Sequence, residues 1–281
     1  MKKSFILVVC CMMLTPAVIW SQKSSTRPKL VVGIVIDQMR YDYLYRFSEH
    51  FCKDGFRRLL NEGFNCRNAH YNYIPTETGP GHASVYTGTT PSMHAIIANS
   101  WYENGATMYC VQDTTVRTIG NDSPYGMMSP RNLIATTITD QLKLATNHRA
   151  KVIAISIKDR GAVLPGGHFA NAAYWYDRTT GNFISSSFYL NELPQWVRHF
   201  NSLKIPDKFL TQTWNTLLPI QYYTAASTTD DTPYENPLVG KEKPTFPYNL
   251  AEISEKMQKS RLKFSPYELI PNTPFGNTLV K

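Results

Sequence analysis

Cysteine is scarce in this chain: the 281 residues contain five, and no two of them stand in a Cys-x-x-Cys pattern. A zinc site built from thiolates is therefore not indicated. Two of the five lie in the apolar amino terminus, which leaves Cys52, Cys66 and Cys110. An exported compartment permits disulfides, and an odd number leaves at least one of these three without a partner in the chain.

Sequence repeats, low-complexity tracts and clusters of like charge are also missing. Lysine and arginine number 29 against 21 acidic residues, a formal net charge of +8, but the basic residues are spread along the chain. We therefore expect no nucleic-acid partner. A mild positive field favours anionic substrates instead, and the length allows one large domain or two small ones.

A long apolar run occurs only at the amino terminus. Met1-Lys2-Lys3 is basic, residues 5–20 are mostly apolar, and Ser21-Gln22 offers a cleavage region. This order predicts a secretory signal peptide over residues 1–22, too short and too weakly flanked for a membrane span. We expect an exported, periplasmic protein that has no membrane attachment after cleavage. An uncleaved anchor is the alternative.

Two β-branched runs predict buried strands of a parallel sheet. Residues 29–36 (KLVVGIVI) end at Asp37, and residues 151–157 (KVIAISI) end at Lys158. Strands that are covered on both faces have such continuous apolar runs, and helices between them favour an α/β fold. Ligands gather at the carboxyl ends of these strands, so Asp37 is a candidate site residue. A capping aspartate before a helix is the alternative.

Lys158 and Arg160 follow the second strand two residues apart. If the strand geometry continues, both side chains point to the same side. Two cations directed at one point could clamp a dianionic phosphate, and arginine offers a bidentate fork. A charged strand end in solvent is the alternative.

A turn rich in proline and glycine holds Thr78. Residues 75–82 (PTETGPGH) lead from an extended segment into a helix, and Pro80 suits its first turn. We predict Thr78 as the N-cap, with its oxygen beside free backbone N–H groups at the positive end of the helix dipole. That environment binds anions and favours an alkoxide. A plain helix cap is the alternative.

The loop after this helix contains Asn99, a neutral amide that could donate a hydrogen bond to an oxyanion. A solvated loop asparagine is the alternative. His82 and His94 lie nearby, and we interpret them as structural side chains rather than metal ligands.

Periodicity and turn signals predict the other elements. A helix with Trp196 as its buried anchor is expected over residues 193–200, and a hairpin turns at residues 178–181. Residues 101–128 are typical of a surface insertion, and further insertions are expected after about residue 165. The other predicted helices cover residues 41–51, 55–61, 131–145 and 250–259.

Taken together, the strand end at Asp37, the Thr78 turn, Asn99 and the Lys158–Arg160 pair closely resemble the alkaline phosphatase superfamily. The chain is similar to its bacterial, exported, phosphate-monoester-preferring members, which are related to the type I phosphodiesterase/nucleotide pyrophosphatase family. Longer matches carry the same resemblance: VIDQMRYDYLY (35–45), SPRNL (129–133), WNTLLP (214–219) and TPFGNT (273–278).

The resemblance implies an alkaline-phosphatase-like fold over residues 23–281, with a mostly parallel sheet, helices on both faces and surface insertions. It also implies hydrolysis of small phosphate monoesters through a phospho-threonine intermediate at a two-zinc site. Asp37 would be a zinc ligand, and Thr78 would be both nucleophile and zinc ligand. Asn99 would bond a phosphoryl oxygen, and Lys158 and Arg160 would contact the oxygens that a diester has esterified.

One part of the family pattern is missing. The family completes its metal site with an Asp-x-x-x-His motif, an Asp-His pair and a further histidine, and this sequence has neither motif. One carboxylate and one hydroxyl cannot hold two zinc ions tightly. We therefore expect the chain to match only the amino-terminal half of the domain. A phosphodiesterase or nucleotide pyrophosphatase of the same superfamily and a non-catalytic truncated fragment are the alternatives.

Overall fold

The computed structural model describes residues 28–238, 240–260 and 264–281. The predicted signal peptide, residues 1–22, lies outside them. The chain divides into two compact units, Met1–Ile36 and Asp37–Lys281. Within the described residues, every helix is too short or too polar to cross a bilayer.

The described part of the first unit, residues 28–36, contains neither helix nor strand. Its apolar side chains are exposed, with Leu30 at 78% and Ile34 at 79%. The predicted strand over residues 29–36 is therefore wrong for this structure. A β-branched run becomes a buried strand only where neighbouring strands and covering helices are present, because its propensity reflects packing on a sheet.

Among its described residues, the second unit contains eight strands. In chain order they are β1 (Ser100–Glu103), β2 (Ala106–Tyr109), β3 (Thr118–Ile119), β4 (Ile153–Ser156), β5 (Ala172–Asp177), β6 (Asn182–Ser186), β7 (Thr213–Trp214) and β8 (Tyr248–Asn249). Strands β1 and β2 form one hairpin, β7 and β8 pair separately, and the other four form a sheet in the order β3-β6-β5-β4.

The four-stranded sheet is mixed. Strands β4 and β5 are parallel, with Ile153 opposite Ala172, whereas β6 runs antiparallel to both β5 and β3. The α/β class is confirmed. The sequence predicted a mostly parallel sheet, but in the described residues only β4–β5 is parallel, because a tight turn joins β5 to β6. That turn is the hairpin predicted at residues 178–181, and Gly181 has φ +72° there.

Helices of four to ten residues make up much of the rest of the described chain. They are α1 (Tyr43–Arg46), α2 (Phe56–Glu62), α3 (Thr78–Thr87), α4 (Pro91–His94), α5 (Ile138–Ala145), α6 (Asp159–Gly166), α7 (Gln195–Ser202), α8 (Ile205–Leu210), α9 (Gln221–Thr224), α10 (Leu250–Lys259) and α11 (Pro274–Val280). Short 3₁₀ turns occupy Ser48–His50, Pro124–Gly126 and Pro266–Asn272. The predictions for residues 55–61 and 250–259 are confirmed as α2 and α10.

Three predicted helices need correction. Residues 41–51 form only α1 and a 3₁₀ turn. Residues 131–145 form only α5, because Thr137 and Asp140 make a capping box that starts the helix there. The Ser129 hydroxyl, which precedes the predicted helix, donates to Asp113. The helix predicted over residues 193–200 is α7, but Trp196 is 51% exposed, and the neighbouring Val197 is the buried anchor.

The core lies on both faces of β5 and β6. Tyr174 and Tyr176 face one apolar cluster, which α10 and the 3₁₀ turn Pro266–Asn272 complete. Trp175 faces the other cluster, formed with side chains of α3 and α6. Strand side chains alternate between faces, so one strand serves both clusters. The second cluster matters for the site because it fixes the two helices that carry the predicted phosphate-contacting residues.

Strand β4 confirms the prediction of a strand within residues 151–157, but not its burial. It is the outer strand of the sheet, and Ile153 and Ile155 are 56% and 41% exposed. The segment 101–128 also differs from a purely surface insertion. Its hairpin β1–β2 is exposed, whereas Cys110 and Val111 directly after it are fully buried.

Candidate active site

Helix α3 starts at the predicted nucleophile. Glu77, with extended backbone (φ −71°, ψ 171°), is the N-cap, and Thr78 is the first helical residue. The predicted N-cap is therefore wrong by one position. Thr78 still lies in the first turn, where backbone N–H groups lack partners within the helix. Gly88 ends the helix in the left-handed conformation.

Three of the five predicted site residues meet at one carboxylate oxygen. The Thr78 hydroxyl donates to Asp37 Oδ2 at 3.0 Å, and Lys158 Nζ lies 3.4 Å from the same atom. The side chains of Asp37 and Lys158 are about one-third exposed, at 37% and 32%. The hydroxyl is thus oriented by an acceptor and accompanied by a cation, at a position that solvent and small molecules can reach.

The Asp37 carboxyl is held in its ionised form. Burial raises its pKa, but the hydrogen bond from Thr78 and the charge of Lys158 outweigh burial and lower the pKa below its ordinary value. His82 Nδ1 bonds to the Thr78 carbonyl oxygen at 2.8 Å. Burial lowers the pKa of His82 and, with the charges of Arg160 and Lys158, outweighs the hydrogen bond to the Thr78 carbonyl and the Asp37 charge, which raise it. The lowered pKa values favour the ionised carboxylate of Asp37 and the neutral imidazole of His82.

Asn99 packs against the first turn of α3. Its Oδ1 accepts a hydrogen bond from the Gly79 N–H at 2.8 Å, and its own backbone N–H donates to Glu77 Oε2 at 2.6 Å. The side-chain carbonyl is committed to the helix, which leaves the Nδ2 amine as the group that can donate to a ligand. A Cβ at residue 79 would lie 3.2 Å from Asn99 Oδ1 and 3.3 Å from Cys110 Sγ. A side chain at residue 79 would therefore require these neighbours to shift by a few tenths of an ångström.

Lys158 and Arg160 do not share a strand face. Strand β4 ends at Ser156, Lys158 is the N-cap of α6, and Arg160 lies inside the first turn of that helix. The period-two argument is wrong because the chain turns helical at Asp159. Lys158 reaches Asp37, whereas Arg160, 17% exposed, uses Nη1 to donate to Tyr109 Oη at 2.8 Å.

Tyr109 was not predicted from the sequence. It ends β2, and its hydroxyl donates to Asp159 Oδ1 at 2.5 Å while accepting from Arg160. Burial raises the pKa of Tyr109 strongly, and the neighbouring Asp159 raises it further. The hydroxyl therefore stays protonated. Fifty-one positions separate Tyr109 from Arg160, and no spacing pattern marks the pair.

The implied two-zinc site does not fit these residues by themselves. In the part of the chain that the structure describes, no group of three or more His, Cys, Asp or Glu side chains could hold a metal ion. Beside Thr78, the Asp37 carboxylate bonds the hydroxyl, the Glu77 carboxylate is engaged by the Asn99 N–H, and His82 Nδ1 is engaged by a backbone carbonyl. Zinc sites use about three or four protein ligands. The zinc chemistry therefore requires ligands beyond those described.

Comparison with known proteins places this arrangement in a family. The family model described as type I phosphodiesterase / nucleotide pyrophosphatase matches residues 31–252. The chain is 50% identical over 254 residues to alkaline phosphatase PhoV of Synechococcus elongatus, covering 90% of this chain and 44% of PhoV. It is 48% identical over 256 residues to alkaline phosphatase PafA of Elizabethkingia meningoseptica, covering 90% of this chain and 45% of PafA.

A protein of Myroides odoratus named calcium-transporting ATPase is 47% identical over 279 residues, which cover 99% of this chain and 49% of that protein. The chain thus spans about half the length of the curated relatives it matches.

A solved structure agrees with the sequence matches. The crystal structure of wild-type PafA superposes with a TM-score of 0.83 at 47% identity, covering 90% of this chain and 48% of that one. A second PafA structure has one threonine, one asparagine, one lysine and one arginine substituted. The resemblance and the alkaline-phosphatase-like α/β fold predicted from the sequence are confirmed.

Proposed function

The chain belongs to the type I phosphodiesterase / nucleotide pyrophosphatase family, and from that premise we propose that it supplies the nucleophile-bearing part of an alkaline phosphatase acting on small phosphate monoesters. The observation that carries the proposal is the Thr78 hydroxyl bonded to Asp37 Oδ2, with Lys158 at the same oxygen. Similarity to PhoV and PafA supports the reaction class.

In the proposed reaction, Thr78 Oγ1 attacks the phosphorus atom. A new P–O bond forms to threonine, the ester P–O bond breaks, and the alcohol leaves after taking up a proton, while the hydroxyl proton of Thr78 passes to solvent. Water then attacks the phosphorus atom of the phospho-threonine and gives up a proton, the P–Oγ1 bond breaks, Thr78 Oγ1 takes up a proton, and inorganic phosphate is released. A covalent intermediate of this kind divides one difficult displacement into two easier ones.

Asp37 orients the attacking oxygen in this scheme. A carboxylate with a lowered pKa stays ionised and keeps the hydroxyl hydrogen bond, but it is a weak general base. Full activation of Thr78 therefore needs further groups. We keep two zinc ions as the predicted cofactor of the complete domain, to which Asp37 and Thr78 would contribute two ligands.

The cations around Thr78 favour a monoester over a diester. The phosphoryl group of a monoester is a dianion with three unesterified oxygens, and a diester carries a single charge. Lys158 stands at the site of attack, and Arg160 lies two residues along α6. Two cations near the phosphoryl group stabilise the dianion of a monoester more than the single charge of a diester, because charge-assisted hydrogen bonds strengthen with charge. Asn99 would add one neutral donor.

We also propose that the protein is exported. The leader predicted over residues 1–22 would deliver the chain to the periplasm, where small phosphate monoesters would be its substrates and nucleic acids would not be partners. Hydrolysis there would release phosphate for uptake.

The test uses an extended protein, defined as this chain joined to the part of PafA that the chain does not match. We expect it to hydrolyse p-nitrophenyl phosphate faster than bis-p-nitrophenyl phosphate, and Thr78→Ala to abolish both activities. Thr211→Ala, an exposed threonine, is the matched control. Unchanged monoester hydrolysis in Thr78→Ala contradicts the nucleophile, and a preference for the diester supports a phosphodiesterase instead.

A further inference from the structure

Arg160 and Asp159 are adjacent in sequence but do not form a close ion pair. Arg160 Nη1 lies 3.8 Å from Asp159 Oδ1, beyond hydrogen-bond distance. The Tyr109 hydroxyl bridges them from one side, donating to Asp159 at 2.5 Å and accepting from Arg160 at 2.8 Å. The tyrosine therefore acts as a spacer that satisfies both charged groups while keeping them apart.

This spacing has a consequence for the guanidinium. A carboxylate and an arginine in direct contact prefer a bidentate arrangement, which occupies two of the five N–H donors and cancels most of the charge. With the hydroxyl bridging them, only Nη1 is engaged. The Nε atom is buried and has no hydrogen-bond partner within the described residues. The Nη2 donors, which make no hydrogen bond within the described residues, and the positive charge stay available to a ligand.

The ring of Tyr109 adds a second restraint. The Arg160 Cζ atom lies 5.8 Å from the ring centroid, within the range of a cation–π contact. The backbone after the ring is fixed as well, since Asn132 Nδ2 donates to the carbonyl oxygens of Tyr109 and Cys110 at 3.4 and 3.3 Å. The backbone that carries the hydroxyl is therefore tied to the segment that follows the hairpin.

The hairpin β1–β2 ties this spacer to Asn99. The Cys110 N–H donates to the Asn99 carbonyl at 3.0 Å and closes the base of the hairpin. Asn99 precedes β1 and touches Gly79 beside Thr78, while Tyr109 ends β2 and holds Arg160. One hairpin thus sets the positions of two side chains that the proposed function places on the phosphoryl group.

We propose that Tyr109 is a positioning residue that makes the site selective for phosphate monoesters, by keeping the Arg160 guanidinium out of direct contact with Asp159. This inference rests on the proposed function. Without the hydroxyl, Arg160 closes onto Asp159 and withdraws its charge from the dianionic phosphoryl group, while Thr78 and Lys158 remain in place. A monoester then loses more than a diester, which offers fewer unesterified oxygens to Arg160.

The test compares Tyr109→Phe with Tyr102→Phe, an exposed tyrosine of the same hairpin, in the extended protein. Loss of a hydrogen bond to a charged group predicts about a tenfold fall in monoester kcat/KM for Tyr109→Phe, with diester kcat/KM changed less than about threefold. Tyr102→Phe leaves both values unchanged. Arg160→Ala combined with Tyr109→Phe falls no further than Arg160→Ala alone, because both act through one group.

Rescue separates positioning from a general structural role. Adding Asp159→Asn to Tyr109→Phe removes the charge onto which Arg160 closes, so monoester selectivity recovers. Equal losses on both ester classes, additive effects with Arg160→Ala, or absence of rescue overturn the inference.

A crystal structure tests the role of Tyr109 without depending on the proposed reaction. A crystal structure of the 281-residue chain with Tyr109→Phe should show Arg160 in direct contact with Asp159. Unchanged separation of the two side chains overturns the spacer, whatever reaction the domain performs. Monoester hydrolysis that survives Thr78→Ala overturns the proposed reaction and leaves this structural result standing.

Discussion

Thr78 Oγ1 and Lys158 Nζ lie 3.0 and 3.4 Å from one atom, Oδ2 of Asp37. The lysine is 121 positions from the aspartate, so the fold and not the local sequence brings them together. The arrangement presents a hydroxyl whose hydrogen-bond acceptor is already paired with a cation. A phosphoryl group that approaches Thr78 would meet the lysine at the same time.

Replacing Lys158 should slow monoester hydrolysis more than diester hydrolysis. We expect Lys158→Ala in the extended protein to lower kcat/KM for p-nitrophenyl phosphate by about tenfold or more, since a charge-assisted contact to the transferring phosphate is lost. Diester hydrolysis should fall less. Lys151→Ala, at the exposed start of the same strand region, is the control and should match the wild type; an equal loss in both lysine variants would assign the effect to net charge alone.

Because Asn99 lies close to α3, we expect alanine substitutions at two glycines of that helix to change the unfolding free energy in opposite directions. Gly79→Ala places a Cβ 3.2 Å from Asn99 Oδ1 and 3.3 Å from the Ala98 carbonyl oxygen. We expect it to cost about 1–3 kcal/mol of unfolding free energy, as overpacking does. Gly81→Ala, in the same helix, meets nothing closer than 3.9 Å and should stabilise the chain by up to ~1 kcal/mol.

Urea unfolding of the 281-residue chain measures both. Equal effects at the two positions would show that helix propensity, and not the contact with Asn99, governs residue 79.

A histidine away from the site predicts the pH dependence of stability. His168 Nδ1 faces Asp140 Oδ2 at 3.0 Å, and Nε2 faces the Leu133 carbonyl at 2.8 Å. Both neighbours are acceptors, so both ring nitrogens donate and the ring is an imidazolium. The hydrogen bond to Asp140 raises the pKa of His168 above its ordinary value and outweighs burial, which lowers it.

The direction in which the unfolding free energy changes with pH follows from the difference between the folded and unfolded pKa of His168. A raised folded pKa gives a stabilisation that is fully present below the ordinary histidine value and is lost as pH rises through the folded pKa. Unfolding free energy should therefore fall as pH rises above about 6.5. His168→Gln should remove this part of the slope, and the exposed His199→Gln should retain it. An unchanged slope in His168→Gln would place the dependence on other groups.

The elements that sequence predicted well have local causes. Helix α10 is flanked by a capping Asn249 and has an apolar stripe, and the β5–β6 hairpin has Gly181 at its left-handed turn position. Each signal lies within the element that it specifies. The candidate residues Asp37, Thr78 and Lys158 were found because they sit where a strand-like or helical run changes character.

The features that the sequence predicts wrongly, or not at all, depend mainly on residues far along the chain. Residues 29–36 have the composition of a buried strand, but strand formation depends on neighbours that lie far along the chain. Arg160 was assigned to a strand face, although the chain becomes helical at Asp159 one residue earlier. Tyr109 carries no sequence signal at all, since its role comes from a hairpin that meets α6 only in the folded chain.

Trapping the covalent intermediate tests the central claim most directly. The extended protein is mixed with a phosphate monoester, quenched in acid and digested, and the phosphorylated peptide is identified by mass spectrometry. We expect one phosphate, carried by Thr78, and none in Thr78→Ala. Phosphate on another residue, or on the Thr78→Ala protein, would contradict it.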